Sequence, residues 1–287
     1  KFAQQKKRQI MDHKPVYYGE YLQLDKILNA QDPESGKDGK TMAHDEMLFI
    51  IIHQSYELWF KQVLFEVNSI IEIMDKPRVN DNSGDMQAVV HRLNRVVTIL
   101  RMLVQKIDIL DTMTPMDFLD FRDMLRPASG FQSWQFKVLE ARLGLKFDNR
   151  FGQQYYLSQL NQKEIDIIKN AEKGKSVVQL LNSWLERMPF AEDKKYWPEE
   201  HNYWTEYEKI FTGSLSEAEK NNAAFFKHYL FTNDNNAERS LSSKACRSAL
   251  FIMLYRGYPM LELPFQLLNT LLEVDHQLGN WRYRHIN

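Results

Sequence analysis

The fold is decided by residues 45–74, which have the sequence DEMLFIIIHQSYELWFKQVLFEVNSIIEIM. Asp45 is a suitable N-cap, and apolar residues then recur at helical spacing as far as Met74. A second side of the same helix carries mostly aromatic residues. It contains Phe49, His53, Tyr56 and Phe60, which follow one another at steps of four, three and four residues. Because both sides of this segment are apolar, the pattern predicts a long helix at the centre of a helical bundle.

The rest of the chain also has helical periodicity and lacks a convincing two-residue alternation, so the predicted fold class is all-α. Thr114, Pro115 and Asp117 together form a strong start signal for one of these helices. Further helices are predicted at 15–29, 86–111, 131–143, 163–172, 175–187, 198–212, 216–230, 240–256 and 261–283. We expect a polar N-terminal extension over 1–16 and a single all-α domain over 17–287, with a variable helical insertion at about 146–240.

The composition excludes several classes of protein. The 287 residues carry 37 Lys and Arg against 38 Asp and Glu, so no excess of cations favours nucleic acid or an anionic membrane as a partner. The longest apolar run, 249–255, is far shorter than the roughly 20 residues that cross a bilayer. The single cysteine, Cys246, allows no intrachain disulfide and indicates a reducing, cytoplasmic compartment. Because the chain begins with Lys1, we expect it to be part of a longer product.

Common catalytic motifs do not occur in the sequence, which has no phosphate-binding glycine loop, dinucleotide fingerprint, zinc-binding His-Glu-x-x-His or nucleophile elbow. Three polar residues within aromatic segments remain as candidates. His53 is either a hydrogen-bonded core histidine or a group that contacts a ligand or metal. Arg122 is either a surface arginine paired with Asp120 or Asp123, or a bidentate clamp for a carboxylate. His285, near the end of the chain, is either solvated or functional.

Three longer segments identify a family. They are HDEMLFIIIHQSYELWFKQVLFE at 44–66, TMTPMDFLDFRDMLRPASGFQSWQFK at 112–137 and WRYRH at 281–285. Together they resemble the tryptophan 2,3-dioxygenase family. Segments 17–31, 92–97 and 184–189 are similar to the eukaryotic branch of that family.

The resemblance implies a large helical bundle around a haem pocket. It implies an oxidoreductase that uses haem b and O2 to cleave the indole C2–C3 bond of L-tryptophan, giving N-formylkynurenine in the first step of the kynurenine pathway. It also implies a homotetramer, built as a dimer of dimers, in which the N-terminal segment is exchanged between subunits. A membrane or nucleic acid is not an expected partner.

The resemblance also implies roles for individual residues. His285 would be the proximal iron ligand, Trp281 would line the haem, and His53 would approach the indole N–H on the distal side. Arg122 would hold the substrate carboxylate, with support from Tyr18. The other substrate-binding residues that the family pattern implies are Phe49, Phe118, Tyr21, Tyr56, Ser129 and Gly130.

Two departures from the family pattern keep alternatives open. Ile52 stands where eukaryotic members usually carry threonine. The family also continues beyond the proximal histidine into a glycine- and serine-rich loop that binds the substrate ammonium group, whereas the sequence ends at Asn287. The alternatives to an enzyme are a helical sensor of haem or tryptophan, and an all-α scaffold whose aromatic residues only form its core.

Overall fold

The computed structural model describes residues 15–37, 39, 41–145, 157–188, 202–232 and 239–286. These residues form α-helices and short 3₁₀ turns, with no β-strand among them, which confirms the all-α class. The α-helices are α1 (Tyr18–Leu22), α2 (Leu24–Leu28), α3 (His44–Met74), α4 (Gly84–Leu110), α5 (Pro115–Arg122), α6 (Trp134–Leu143), α7 (Gln162–Lys173), α8 (Val177–Leu185), α9 (Tyr203–Ser214), α10 (Asn222–Phe231), α11 (Ser243–Leu254) and α12 (Glu262–Ile286).

Three predicted helices differ from the observed ones. The helix predicted over 216–230 is a 3₁₀ turn at Glu217–Glu219 followed by α10, which begins at Asn222. The other two differ for clear local reasons. The segment predicted as one helix over 15–29 is two short helices, because Gln23 adopts a left-handed conformation with φ of 54°. The helix predicted from residue 131 begins only at Trp134. A 3₁₀ turn over Gly130–Gln132 precedes it, and the Ser133 side chain caps the helix by accepting from the backbone N–H of Phe136.

The chain divides into two compact units. Unit 1 comprises Lys1–Gln54 and Leu110–Pro127, and unit 2 comprises Ser55–Ile109 and Ala128–Asn287. The described helices of unit 1 are α1, α2, α5 and the first part of α3. The remaining helices belong to unit 2.

Within unit 1, the buried carboxylate of Glu46 attaches the preceding polar loop to the first turn of α3. Its two oxygens accept from the backbone N–H groups of Glu34 at 2.7 Å and Ser35 at 2.9 Å. The Ser35 hydroxyl in turn accepts from the backbone N–H of Ala43 at 2.9 Å. A buried carboxylate needs such donors to offset its lost hydration, so this network defines where α3 begins.

The core of unit 2 contains one face of α3 and one face of α4. Val63 and Val67 on α3 are fully buried, as are Val89 and Leu93 on α4. The expectation that α3 lies at the centre of a bundle is wrong for its outer face, where apolar residues are exposed. On that outer face the exposed apolar residues of unit 2 are Leu58 (55%), Trp59 (37%) and Phe65 (70%).

The expected domain boundaries stay predictions. Residues 1–14 of the expected N-terminal extension lie outside the described residues, as do 146–156, 189–201 and 233–238 of the expected insertion. The parts of the insertion that the structure does describe are helical, from α7 to α10. None of the described helices combines the length and apolarity that a membrane crossing requires.

Candidate active site

His53 lies on α3 in unit 1 and makes a hydrogen bond within its own helix. Its Nδ1 is 2.7 Å from the carbonyl oxygen of Phe49, one turn earlier. Because a carbonyl oxygen only accepts, Nδ1 carries the proton and donates it. In a neutral imidazole the other nitrogen, Nε2, is then an acceptor. The geometry therefore prepares His53 to accept a hydrogen bond from an N–H group.

Three phenylalanines form an aromatic cluster in unit 1. The ring centroid of Phe49 lies 5.5 Å from that of Phe118 in a stacked arrangement and 5.6 Å from that of Phe121 edge-on. Phe121 is fully buried, whereas Phe49 and Phe118 keep part of their rings exposed. These separations are favourable for aromatic pairs. Phe121 packs against Phe49 and Phe118, the two rings that the family pattern assigns to substrate binding. Because Phe121 follows Phe118 by three residues, the sequence spacing already places both rings on one side of the helix.

The start of α5 determines how Phe118 and Arg122 are presented. Thr114 and Asp117 form a reciprocal capping box, in which the Thr114 backbone N–H donates to the Asp117 carboxylate at 2.8 Å and the Asp117 N–H donates to the Thr114 hydroxyl at 3.3 Å. Hydrogen bonds from Thr114 hold the pKa of the Asp117 carboxyl below its ordinary value. With Pro115 in the first turn, this short helix has the start that its sequence predicts.

Arg122 lies in the last turn of α5 and is exposed. Its guanidinium carbon is 5.9 Å from the ring centroid of Phe118, within the range of a cation–π contact. Asp123, one of the two surface partners considered for it, pairs instead with Arg126 at 3.2 Å. The Arg122 guanidinium therefore lies beside the Phe118 ring. This arrangement suits an aromatic ligand with an anionic end group, because the ring would contact its aromatic part and the guanidinium its anion.

Tyr18 and Tyr21 lie on α1 and are each 75% exposed in the single chain. The neighbouring Tyr17 is 73% exposed. Three exposed tyrosines within five residues are unusual for a monomer, because such rings are normally packed. The structure places these tyrosines together, and their roles at a site stay predictions.

Unit 2 contains a second aromatic cluster, centred on Trp281 of α12. The Trp281 ring lies 4.5 Å from Phe136, 5.7 Å from Phe60 and 6.2 Å from Tyr56. Tyr56 is buried, and its hydroxyl donates to the carbonyl oxygen of Leu103 at 3.0 Å. The sequence did not predict that Phe136 belongs to this cluster. Phe136 and Trp281 lie far apart in the chain, and no periodic pattern links residues of two different helices.

His285 follows Trp281 by one helical turn and stacks on it, with ring centroids 4.8 Å apart and an angle of 10° between the planes. The imidazole is exposed, and its edge faces Gly130. A Cβ at Gly130 would lie 3.5 Å from the imidazole Nε2. Ser129 caps this turn by accepting from the backbone N–H of Phe131 at 3.3 Å. The structure therefore brings together the residues of unit 2 that the family pattern implies.

These residues fit an iron porphyrin in their chemistry. A histidine nitrogen is a common axial ligand of haem iron, and the imidazole of His285 is exposed. Aromatic rings provide the apolar contacts that a macrocycle needs. Within the described residues, the buried indole N–H of Trp281 has no hydrogen-bond partner, so a donor is available to a polar group of a ligand.

Comparison with known proteins identifies the family of this chain. A family model described as tryptophan 2,3-dioxygenase matches residues 2–228. The chain belongs to the tryptophan 2,3-dioxygenase family. Among curated members, the tryptophan 2,3-dioxygenase of Alteromonas mediterranea is 44% identical over 94% of this chain and 80% of its own length. That of Bdellovibrio bacteriovorus is 38% identical, covering 96% and 82%. That of Mus musculus is 39% identical, covering 94% and 71%.

Membership of the tryptophan 2,3-dioxygenase family confirms the resemblance found in the sequence. The family model covers the segment with His53, Phe118 and Arg122, and the pairwise similarities extend over nearly all of the chain. Bacterial and vertebrate members match at comparable identity. The assignment to the eukaryotic branch therefore stays a prediction.

Proposed function

We propose that this chain is a haem-dependent dioxygenase that cleaves the indole C2–C3 bond of L-tryptophan with O2, giving N-formylkynurenine in the first step of tryptophan catabolism by the kynurenine pathway. The observation that carries the proposal is that a member of the tryptophan 2,3-dioxygenase family places the exposed imidazole of His285 at the end of an aromatic stack. Curated relatives with the same name support the reaction.

In this proposal, unit 2 holds haem b. His285 would be the iron ligand, and Trp281 would provide an aromatic surface to the macrocycle. Phe60 and Phe136 complete the apolar wall around Trp281. When bound, haem supplies the redox chemistry that makes O2 reactive toward the indole ring. The protein supplies the ligand, the apolar surroundings and the exclusion of water.

Unit 1 recognises the amino acid in this proposal. Arg122 donates two parallel hydrogen bonds to the substrate carboxylate, which would be costly to remove from water without a cation. Tyr18 supports that ionic end. Phe49 and Phe118 contact the flat face of the indole, because aromatic rings are favourable neighbours for another aromatic ring.

His53 orients the substrate through the indole nitrogen. Since its Nδ1 donates to Phe49, Nε2 accepts the hydrogen bond from the indole N–H. This contact selects an indole over an aromatic side chain that has no N–H. Tyr21, Tyr56, Ser129 and Gly130 are assigned to further contacts with the substrate in the same proposal.

The assembly we propose is a homotetramer, built as a dimer of dimers, in which each N-terminal segment contributes to a neighbouring subunit. The exposed rings of Tyr17, Tyr18 and Tyr21 support such an exchange, because a partner would bury them. We place the enzyme in the cytoplasm, since its one cysteine suits a reducing compartment.

Aerobic turnover by the haem-loaded, full-length protein tests the function. A red-brown protein whose ferrous spectrum changes on addition of L-tryptophan would bind both haem and substrate, which a scaffold does not. Accumulation of N-formylkynurenine under air would then separate the enzyme from a sensor. A haem-loaded protein that responds to tryptophan without forming product would contradict the proposal.

A further inference from the structure

His285 lies on α12, one helical turn after Trp281. The position and rotation of this part of α12 determine where the imidazole points. Groups around a metal ligand that fix its orientation also tune the metal site. Side chains of neighbouring helices that hold α12 next to His285 are therefore candidates for such a role.

Arg282 supplies one such anchor. Its Nη2 lies 2.6 Å from Oε1 of Glu140 on α6. The Glu140 side chain is only 11% exposed, whereas that of Arg282 is 41% exposed. A shielded carboxylate in a charge-assisted hydrogen bond holds its partner more firmly than a pair in open solvent.

The packing of Trp281 uses the same face of α6. Phe136, which lies 4.5 Å from Trp281, is one helical turn before Glu140, so both residues project toward α12. Trp281 in turn stacks on His285. One face of α6 therefore holds both the arginine and the tryptophan that precede the candidate ligand.

Arg284 holds the opposite side of the turn. Residues two apart on a helix project about 200° from each other, so Arg282 and Arg284 reach different neighbours. Nη1 of Arg284 lies 3.1 Å from the carbonyl oxygen of Val104 and 2.7 Å from Oδ1 of Asp108, both on α4. The Asp108 side chain is 68% exposed, so this ion pair is the weaker of the two.

We propose that Glu140 is a positioning residue for the haem ligand: through Arg282 it fixes the last turn of α12 and thereby the orientation of the His285 imidazole. The inference rests on the proposed function, because it assumes that His285 ligates haem iron. Glu140 itself does not contact the iron. Its removal is expected to loosen the ligand without removing it.

The test compares two isosteric variants of the full chain, Glu140→Gln and Glu273→Gln. Glu273 is the matched control, because it lies on α12 three turns before His285 and also pairs with an arginine of a neighbouring helix, Arg101, at 2.7 Å. Both variants remove one interhelical ion pair. Only Glu140→Gln removes an ion pair that lies next to His285.

For Glu140→Gln we expect haem to transfer to an apo-globin acceptor about tenfold faster, equivalent to about 1.4 kcal/mol. We also expect a lower iron–imidazole stretching frequency in the ferrous resonance Raman spectrum. Glu273→Gln should match the wild type in both measurements. Equal behaviour of the two variants, with or without a change from wild type, would overturn the role of Glu140.

A charge swap provides the second test, in case Glu140→Gln folds poorly. Glu140→Arg and Arg282→Glu alone should each accelerate haem loss, and the double variant should recover part of the wild-type retention, because it restores the pair. No recovery would overturn the inference. A wild-type protein without any iron–imidazole stretch would instead overturn the ligand role of His285, and with it the proposed function.

Discussion

At the residue scale, the hydrogen bond from His53 to Phe49 has a chemical consequence. It leaves Nε2 as the acceptor, so the contribution of His53 should depend on a donor in the substrate. We predict that His53→Ala retains haem and lowers kcat/KM for L-tryptophan by about two- to twelvefold, as expected from one hydrogen bond of about 0.5–1.5 kcal/mol.

A substrate analogue provides the control for His53. With 1-methyl-tryptophan, which has no indole N–H, the variant and the wild type should have similar kcat/KM values. Steady-state rates are measured for the wild type and His53→Ala, each with L-tryptophan and with 1-methyl-tryptophan. These four measurements show whether the effect of the substitution depends on the indole N–H. An equal loss with the methylated substrate would show that His53 does not act through the N–H.

Arg122 should dominate the recognition of the substrate carboxylate. Arg122→Ala leaves that carboxylate unpaired, so KM for L-tryptophan should rise by about ten- to hundredfold, corresponding to about 1.5–3 kcal/mol for a charged hydrogen bond. Arg122→Lys should recover only part of the loss, because an ammonium group cannot make two parallel bonds. Arg126→Ala, which removes a surface ion pair with Asp123, is the matched control. Unchanged KM in Arg122→Ala would contradict the clamp.

At the element scale, α5 shows what local sequence can predict. Thr114, Pro115 and Asp117 predicted the helix start, and the capping box occurs as expected because it depends only on residues three apart. The outer face of α3 shows the opposite case. Its apolar residues predicted burial, yet Leu58 and Phe65 are exposed, since burial depends on neighbours that periodicity does not reveal.

The capping box of α5 also predicts a dependence on pH. The pKa of Asp117 is lowered in the folded protein, so its contribution to the free energy of unfolding is complete above the ordinary pKa of 3.8 and is lost as pH falls through the lower folded value. Asp117→Asn should therefore lower the stability at neutral pH and approach the wild type at the acidic end. Urea unfolding across this range measures the difference.

Thr114→Ala is the companion variant for the same helix start. It removes the hydroxyl that accepts from the N–H of Asp117, and the loss of such a cap costs about 1 kcal/mol. This cost should persist at neutral pH, where the carboxylate is charged. A Thr114→Ala protein as stable as the wild type would show that the cap does not stabilise α5.

At the scale of the whole molecule, contacts between distant segments lay beyond sequence reasoning. The composition and periodicity predicted an all-α protein, and three segments identified the family. The pair between Arg282 and Glu140 joins residues 142 positions apart, and neither side chain stands out from many other charged residues. Such a contact depends on how α6 and α12 pack, which no local pattern contains.

The proposed exchange of N-terminal segments can be tested by mixing subunits that each carry one defect in substrate binding, assayed at an L-tryptophan concentration at which each variant alone has little activity. If Tyr21 serves a neighbouring site, then Tyr21→Ala and Arg122→Ala subunits should complement each other when they are unfolded and reassembled together. Random assembly in equal amounts would restore about a quarter of the sites. Mixing Arg122→Ala with Phe118→Ala, which alter the same unit, is the control and should restore none. No recovery in the first mixture would contradict the exchange.

The central claim, that His285 holds the haem that supports dioxygenation of tryptophan, is tested most directly by product labelling under ¹⁸O2. The full-length, haem-loaded protein should form N-formylkynurenine that contains both labelled oxygen atoms. His285→Ala should lose its haem and form no labelled product, whereas His276→Ala, an exposed histidine of the same helix, should behave as the wild type. Labelled product from a haem-retaining His285→Ala protein, or none from the haem-loaded wild type, would contradict the account.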